Sequence, residues 1–107
     1  MRGDSIGVVP TIRRKIAEER AILAELQEQF KHPPMKNWVR RTLADLFDID
    51  SVLSSLVADY PDDEDRAMNL HWAEVQLECA VERRQRLQAA IEMYGPDAVA
   101  MFPISSR

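Results

Sequence analysis

Apolar residues recur along this chain at helical spacing in three long runs, and no stretch alternates at the two-residue period of a half-buried strand. In the first run Ile12, Ile16, Leu23, Leu26 and Phe30 stand on one stripe, with Glu19 where that stripe wants another apolar side chain. Thr11 is placed to cap this helix. His32-Pro33-Pro34 is placed to end it, because proline has no amide hydrogen and pushes the residue before it out of the helical region.

The second run extends from about Met35 to Tyr60. Val39, Thr42, Leu46, Ile49, Leu53, Leu56 and Tyr60 form its stripe, and Leu43, Phe47, Val52 and Val57 widen it. Asp48-Ile49-Asp50-Ser51 supplies capping side chains in mid-run, so a kink or a break into two helices fits there.

The third run, Asp62 to Tyr94, has no internal glycine or proline, four acids at its start and Gly95-Pro96 at its end. As one helix it spans roughly 50 Å. Its main seam is Leu70, Ala73, Leu77, Ala80, Leu87, Ile91 and Tyr94, with Arg84 the one polar member. A second apolar face, Met68, Trp72, Val75 and Cys79, occupies the first half only. These patterns predict an all-α fold: an antiparallel helical bundle of about three helices with one long C-terminal helix, dimeric through Met68, Trp72, Val75 and Cys79. A subunit of 107 residues gains core by such pairing. The whole chain, 1–107, is expected as a single domain, with residues 1–9 as an extended arm and 97–107 as a short tail containing at most one helical turn.

Composition narrows the class. A chain 46% hydrophobic and 30% charged is a globular domain and neither a disordered tail nor a membrane span. Its longest apolar run, Ala98 to Phe102, is far too short to cross a bilayer, and no basic-then-apolar leader pattern opens the sequence, which places the chain in the cytoplasm. The single cysteine, Cys79, suits a reducing compartment and reads first as a small buried side chain.

The net charge of −4 hides a segregation. Residues 1–41 hold nine Lys/Arg against five Asp/Glu, whereas residues 42–65 hold eight acids and no base. Such a field can steer a charged partner, or draw two segments of one monomer together.

Catalytic chemistry is sparse. There are two histidines, His32 and His71, and no glycine-rich phosphate loop, nucleophile elbow or paired-cysteine motif, so neither an enzyme nor a cofactor or metal is expected. His71, Glu74 and Glu78 share a side of the long helix, but no other helix offers the matching Glu-x-x-His of a bundle metal site, and a solvated face accounts for them. Arg2-Gly3-Asp4 spells an adhesion tripeptide by coincidence.

Two binding functions stay open. Basic clusters at Arg13, Arg14 and Lys15, at Lys36, Arg40 and Arg41, and at Arg83, Arg84 and Arg86, with Trp38 to stack on a base, suit nucleic acid. The net negative charge and the acidic middle oppose phosphate. Conversely, Asp59, Asp62, Asp63, Glu64 and Asp65, with Arg66, can occupy a basic groove on another protein. The plainer alternative is that these acids open a helix and face water.

Arg20-Ala21-Ile22-Leu23-Ala24-Glu25-Leu26, then Pro33-Pro34 with Trp38, then Leu56 and Pro61-Asp62 with Arg66 and Met68, occur in an order that resembles the small all-helical assembly chaperones of Rubisco. The resemblance covers about half of the chain. It implies a helical dimer with a partner-binding surface, Arg66 as a polar contact and Trp38 as packing. That family's tyrosine-rich groove motif would fall near Arg13 to Ile16, where this chain has no tyrosine, and beyond Met68 the apolar register departs. The expected function is a non-catalytic helical protein-binding module, an adaptor, assembly factor or small inhibitor. The alternative is a nucleic-acid-associated helical subunit.

Overall fold

A computed structural model describes residues 8–58 and 63–99, with the side chains of Val57, Ala58 and Asp63 excepted. Three helices fill it: α1 (Val9–Gln29), α2 (Pro33–Ala58) and α3 (Asp63–Tyr94), followed by a 3₁₀ turn, Gly95–Asp97. No strand occurs among the described residues.

The helix α1 starts at Val9, two residues ahead of the expected cap Thr11. Val8 occupies the cap position without a side-chain hydrogen bond, and Pro10 sits in the first turn, where its missing amide hydrogen costs nothing. Val9 is buried, so the extended arm expected over residues 1–9 gives way to helix at its last position. The far end closes at Phe30, whose extended backbone leaves the helix while its amide still donates to the Leu26 carbonyl at 3.1 Å.

Pro33-Pro34 does not terminate α1. It opens α2, with the amides of Met35 and Lys36 both donating to the His32 carbonyl at 3.2 Å. Phe30 and Met35, both fully buried, pin this corner from either side. From there α2 continues without a break through Asp48–Ser51. The stripe from Val39 to Leu56 is buried as its spacing predicts, Thr42 included, whereas Tyr60 lies outside the described residues. Leu43 and Val52 are half-buried, but Phe47 points to solvent at 64% exposure, so the widened apolar face is narrower than expected.

Two contacts set the topology. Glu19 bonds Arg84, and the Lys31 amide donates to the Pro96 carbonyl at 3.0 Å; both pairs are 65 residues apart. Equal offsets mean that α1 and α3 run parallel. Arg13 near the start of α1 meets Asp50 late in α2, and Arg83 late in α3 meets Asp45, so α2 runs antiparallel to both. The described chain is an up-down-up bundle. Its 48 Å long axis matches α3 itself, since 32 residues rise about 48 Å.

One core lies between the helices, built from residues such as Ile16 and Leu23 of α1, Leu46 and Leu53 of α2, and Ala73 and Leu87 of α3. On α3 the expected seam is buried from Leu70 to Leu87, then Ala90 replaces the half-buried Ile91, and Tyr94 is exposed. Tyr94 lies beside the end of the helix, where Gly95 at φ +74° takes the left-handed conformation that stops it. Ala98 packs back onto the core.

Candidate protein-binding surface

The seam that α3 buries and the row Met68, Trp72, Val75, Cys79 lie on opposite sides of the helix. Every member of the row is exposed, Met68 by 67%, Trp72 by 40% and Val75 by 39%. The bundle therefore completes its core without this face. Cys79 departs from the buried reading: it is a free, exposed thiol, because its position falls on the row and not on the seam. Within one chain the second apolar face of α3 is left exposed.

Beside the row stands the acidic start of the helix. Glu64 and Asp65 are exposed and Arg66 is half-buried. Asp59 and Asp62 lie outside the described residues, as does the side chain of Asp63. On the α1 side, a shallow groove of about 640 Å³ is lined by Lys15, Leu77 and Val81 and rimmed by Glu74, Glu78 and Glu82. His71 is exposed as well, and no group of three or more metal-binding side chains converges among the described residues. The two histidines sit at opposite ends of the bundle, His32 with its Nε2 3.8 Å from Asp97 Oδ1 and His71 early in α3.

Among the described residues each pair of helices is joined by an ion pair drawn from the basic clusters. Between α1 and α2, Arg13 donates to both carboxylate oxygens of Asp50, at 2.9 and 3.4 Å. Between α2 and α3, Arg83 donates to Asp45 at 2.9 Å and reaches Thr42 Oγ1 at 3.5 Å. Between α1 and α3, Arg84 donates to Glu19 at 2.6 and 2.8 Å, and Lys15 adds a bond at 3.1 Å. One of these pairs, Arg13 with Asp50, joins the basic first segment to the acidic second, whereas Asp45 takes its partner, Arg83, from the charge-balanced remainder of the chain.

Electrostatics at the third of these pairs are the most distinctive. Burial pushes the Glu19 carboxyl up, but the hydrogen bonds and charges of Arg84 and Lys15 outweigh it and hold the group below the usual carboxylate range. Arg84 is held above its ordinary value by its bond to Glu19, against the opposing effect of burial.

Trp38 is half-buried and flanked by guanidiniums, Arg41 at 5.1 Å and Arg83 at 5.3 Å from its ring centre. Its ring faces are therefore engaged with arginine side chains. The spacing of Trp38 and Arg41, one helical turn apart, carried a local hint of this contact; Arg83 is 45 residues away and carried none. Of the remaining cluster residues, Arg40 donates to Asn37 at 2.9 Å, Arg14 is exposed and Lys36 is half-buried. No described helix is long and apolar enough to cross a membrane. Comparison with protein-family models, with curated proteins and with solved structures found no match.

Proposed function

We propose that this protein is a non-catalytic helical protein-binding module, an adaptor, assembly factor or small inhibitor, that pairs as a homodimer through the outer face of α3 and engages other proteins through the acidic start of that helix. The supporting observation is the exposed row Met68, Trp72, Val75 and Cys79 on a helix whose opposite side already completes the core. A tryptophan and a valine at the centre of such a row bury apolar area only against a partner. The acidic start at Glu64 and Asp65 stands exposed beside the row and suits a basic surface on another protein. The likeness to Rubisco assembly chaperones agrees with the assembly-factor form of this reading, without assigning that client.

The nucleic-acid alternative loses ground because Arg13, Lys15, Arg83 and Arg84 are committed to carboxylates of the same chain, and Trp38 to two arginines. To test the two, purified protein is passed over heparin in a salt gradient, and a partner captured from its native host is purified and rebound. The proposal expects rebinding to be lost with Glu64→Gln plus Asp65→Asn, and the dimer to be lost in sedimentation with Trp72→Ala. Heparin retention that falls steeply with salt and disappears in Arg40→Glu plus Arg41→Glu would transfer the function to nucleic acid.

A further inference from the structure

The groove between α1 and α3 uses its charges differently from the helix contacts around it. At those contacts the carboxylates are taken up, Asp50 by Arg13, Asp45 by Arg83 and Glu19 by Arg84. Glu74, Glu78 and Glu82 on the rim of the groove are exposed, and among the described residues no side chain bonds or pairs with them. They follow one another four apart on α3, so each lies one turn from the next, about 6 Å along the axis. Like charges at that spacing repel and weaken a helix. The cation that lines the groove, Lys15, is already held by Glu19 at 3.1 Å. Beneath the rim the floor is apolar, Leu77 and Val81, in a volume of about 640 Å³.

Resting on the reading of this chain as a protein-binding module, we infer that the groove seats a basic amphipathic helix of a partner protein, its apolar side on Leu77 and Val81 and its Lys or Arg side chains against Glu74, Glu78 and Glu82. The charge of the occupant follows from the rim. An acidic or wholly apolar segment would strip water from three carboxylates and give them nothing in return, whereas cations relieve the repulsion among them. Its conformation follows from the spacing and the surroundings. Lys or Arg residues four apart on a helix laid along α3 advance by the same step of about 6 Å as the rim. An extended segment draws its affinity from adding to a strand edge, and no strand occurs among the described residues. A helix in the cleft between two parallel helices instead buries its apolar side as a fourth member of the bundle. This seat is separate from the acidic start of α3, since Asp65 lies roughly 14 Å before Glu74 along the axis.

The probe is a synthetic helical peptide of about five turns, with leucines at three-and-four spacing on one side and lysines four apart on its flanks. Its controls are a scrambled peptide of the same composition and the same peptide with glutamate in place of lysine. Each is labelled and titrated by fluorescence polarisation, at about 0.15 M salt, with the full chain as wild type, as Glu74→Gln/Glu78→Gln/Glu82→Gln and as Glu64→Gln/Asp65→Asn. The triple variant should melt no lower than wild type, because it removes like-charge pairs. The expected result is saturable binding of the basic amphipathic peptide alone, about tenfold weaker in the triple variant and within about twofold of wild type in the other, with the amide resonances of Leu77 and Val81 shifting as peptide is added to wild type. Equal binding of the scrambled peptide, no saturable binding of the basic helix, or a triple variant that binds as wild type does overturns the groove as the seat. Loss of binding in Glu64→Gln/Asp65→Asn with the triple variant unaffected also overturns it, while leaving engagement through the acidic start intact.

Discussion

Glu19 of α1 and Arg84 of α3 form a two-pronged ion pair at 2.6 and 2.8 Å, and each is the polar interruption in an otherwise apolar stripe. The carboxylate is fully buried and Lys15 supplies a further bond at 3.1 Å. Two polar residues placed at matching heights fix one register between two parallel helices whose apolar residues would tolerate sliding. Removing one partner strands the other: Glu19→Leu is expected to cost about 3 kcal/mol, at the lower end for a broken buried pair because Arg84 keeps some access to water. The double variant Glu19→Leu/Arg84→Met should recover most of this loss, because an apolar pair of similar volume fits the surrounding core. Urea unfolding of the four proteins measures the cycle, and additive losses in the double variant would show that the two residues are not coupled.

The same pair sets an acid limit. Because the carboxyl of Glu19 is held below its ordinary value of 4.5 in the folded chain, the unfolded state takes up its proton first as pH falls. The stabilisation is present above about 4.5 and is lost as pH drops through the lowered folded value. Glu19→Gln has no proton to bind. The stability gap between wild type and Glu19→Gln should therefore be constant from pH 7 to about 5 and shrink below that. A gap unchanged down to pH 3 would mean that the carboxylate is not the source.

Leu46 and Phe47 are neighbours with opposite fates, the first fully buried and the second 64% exposed. Leu46→Ala leaves a cavity in the core and should cost about 3 kcal/mol. Phe47→Ala should cost less than about 0.5 kcal/mol, as a surface change does. Comparable losses at the two positions in thermal or urea unfolding would place the α2 stripe one residue out of register.

How far the sequence reveals this fold depends on whether a feature is local. Helical period, helix content and the buried stripe of α2 follow from residues three and four apart, and they agree with the structure closely. Even the misfits Glu19 and Arg84 stand out in the sequence, yet nothing local says that they meet 65 positions apart. Pro33-Pro34 reads equally as a stop or a start, and only the bonds to the His32 carbonyl decide for a start. Cys79 and Phe47 were harder. Each is next in sequence to a buried residue, Cys79 to Ala80 and Phe47 to Leu46, and which apolar face of a helix is turned inward depends on where the other helices sit. On the candidate surface the apolar row was legible from its spacing, whereas the commitment of the basic clusters to internal ion pairs required the tertiary arrangement.

The end of α3 depends on one backbone conformation. Gly95 holds φ at +74°, and a Cβ built there would meet nothing within 4 Å, so a side chain is opposed by backbone strain alone and not by crowding. Gly95→Ala is then expected to cost about 1 kcal/mol, the penalty of left-handed backbone for an L-residue. The midpoint of thermal unfolding should fall by about 4–8 °C. Gly95→Asn should lose less, because asparagine tolerates this region better than alanine. The turn matters beyond the helix stop, since the residue after it, Pro96, offers the carbonyl that binds the Lys31 amide and ties the α1–α2 corner to α3. Hydrogen exchange at Lys31 separates the two consequences: faster exchange in Gly95→Ala than the global loss of stability explains would show that the corner has been released. A variant as stable as wild type would mean that the helix end tolerates right-handed backbone and that the turn is not what stops α3.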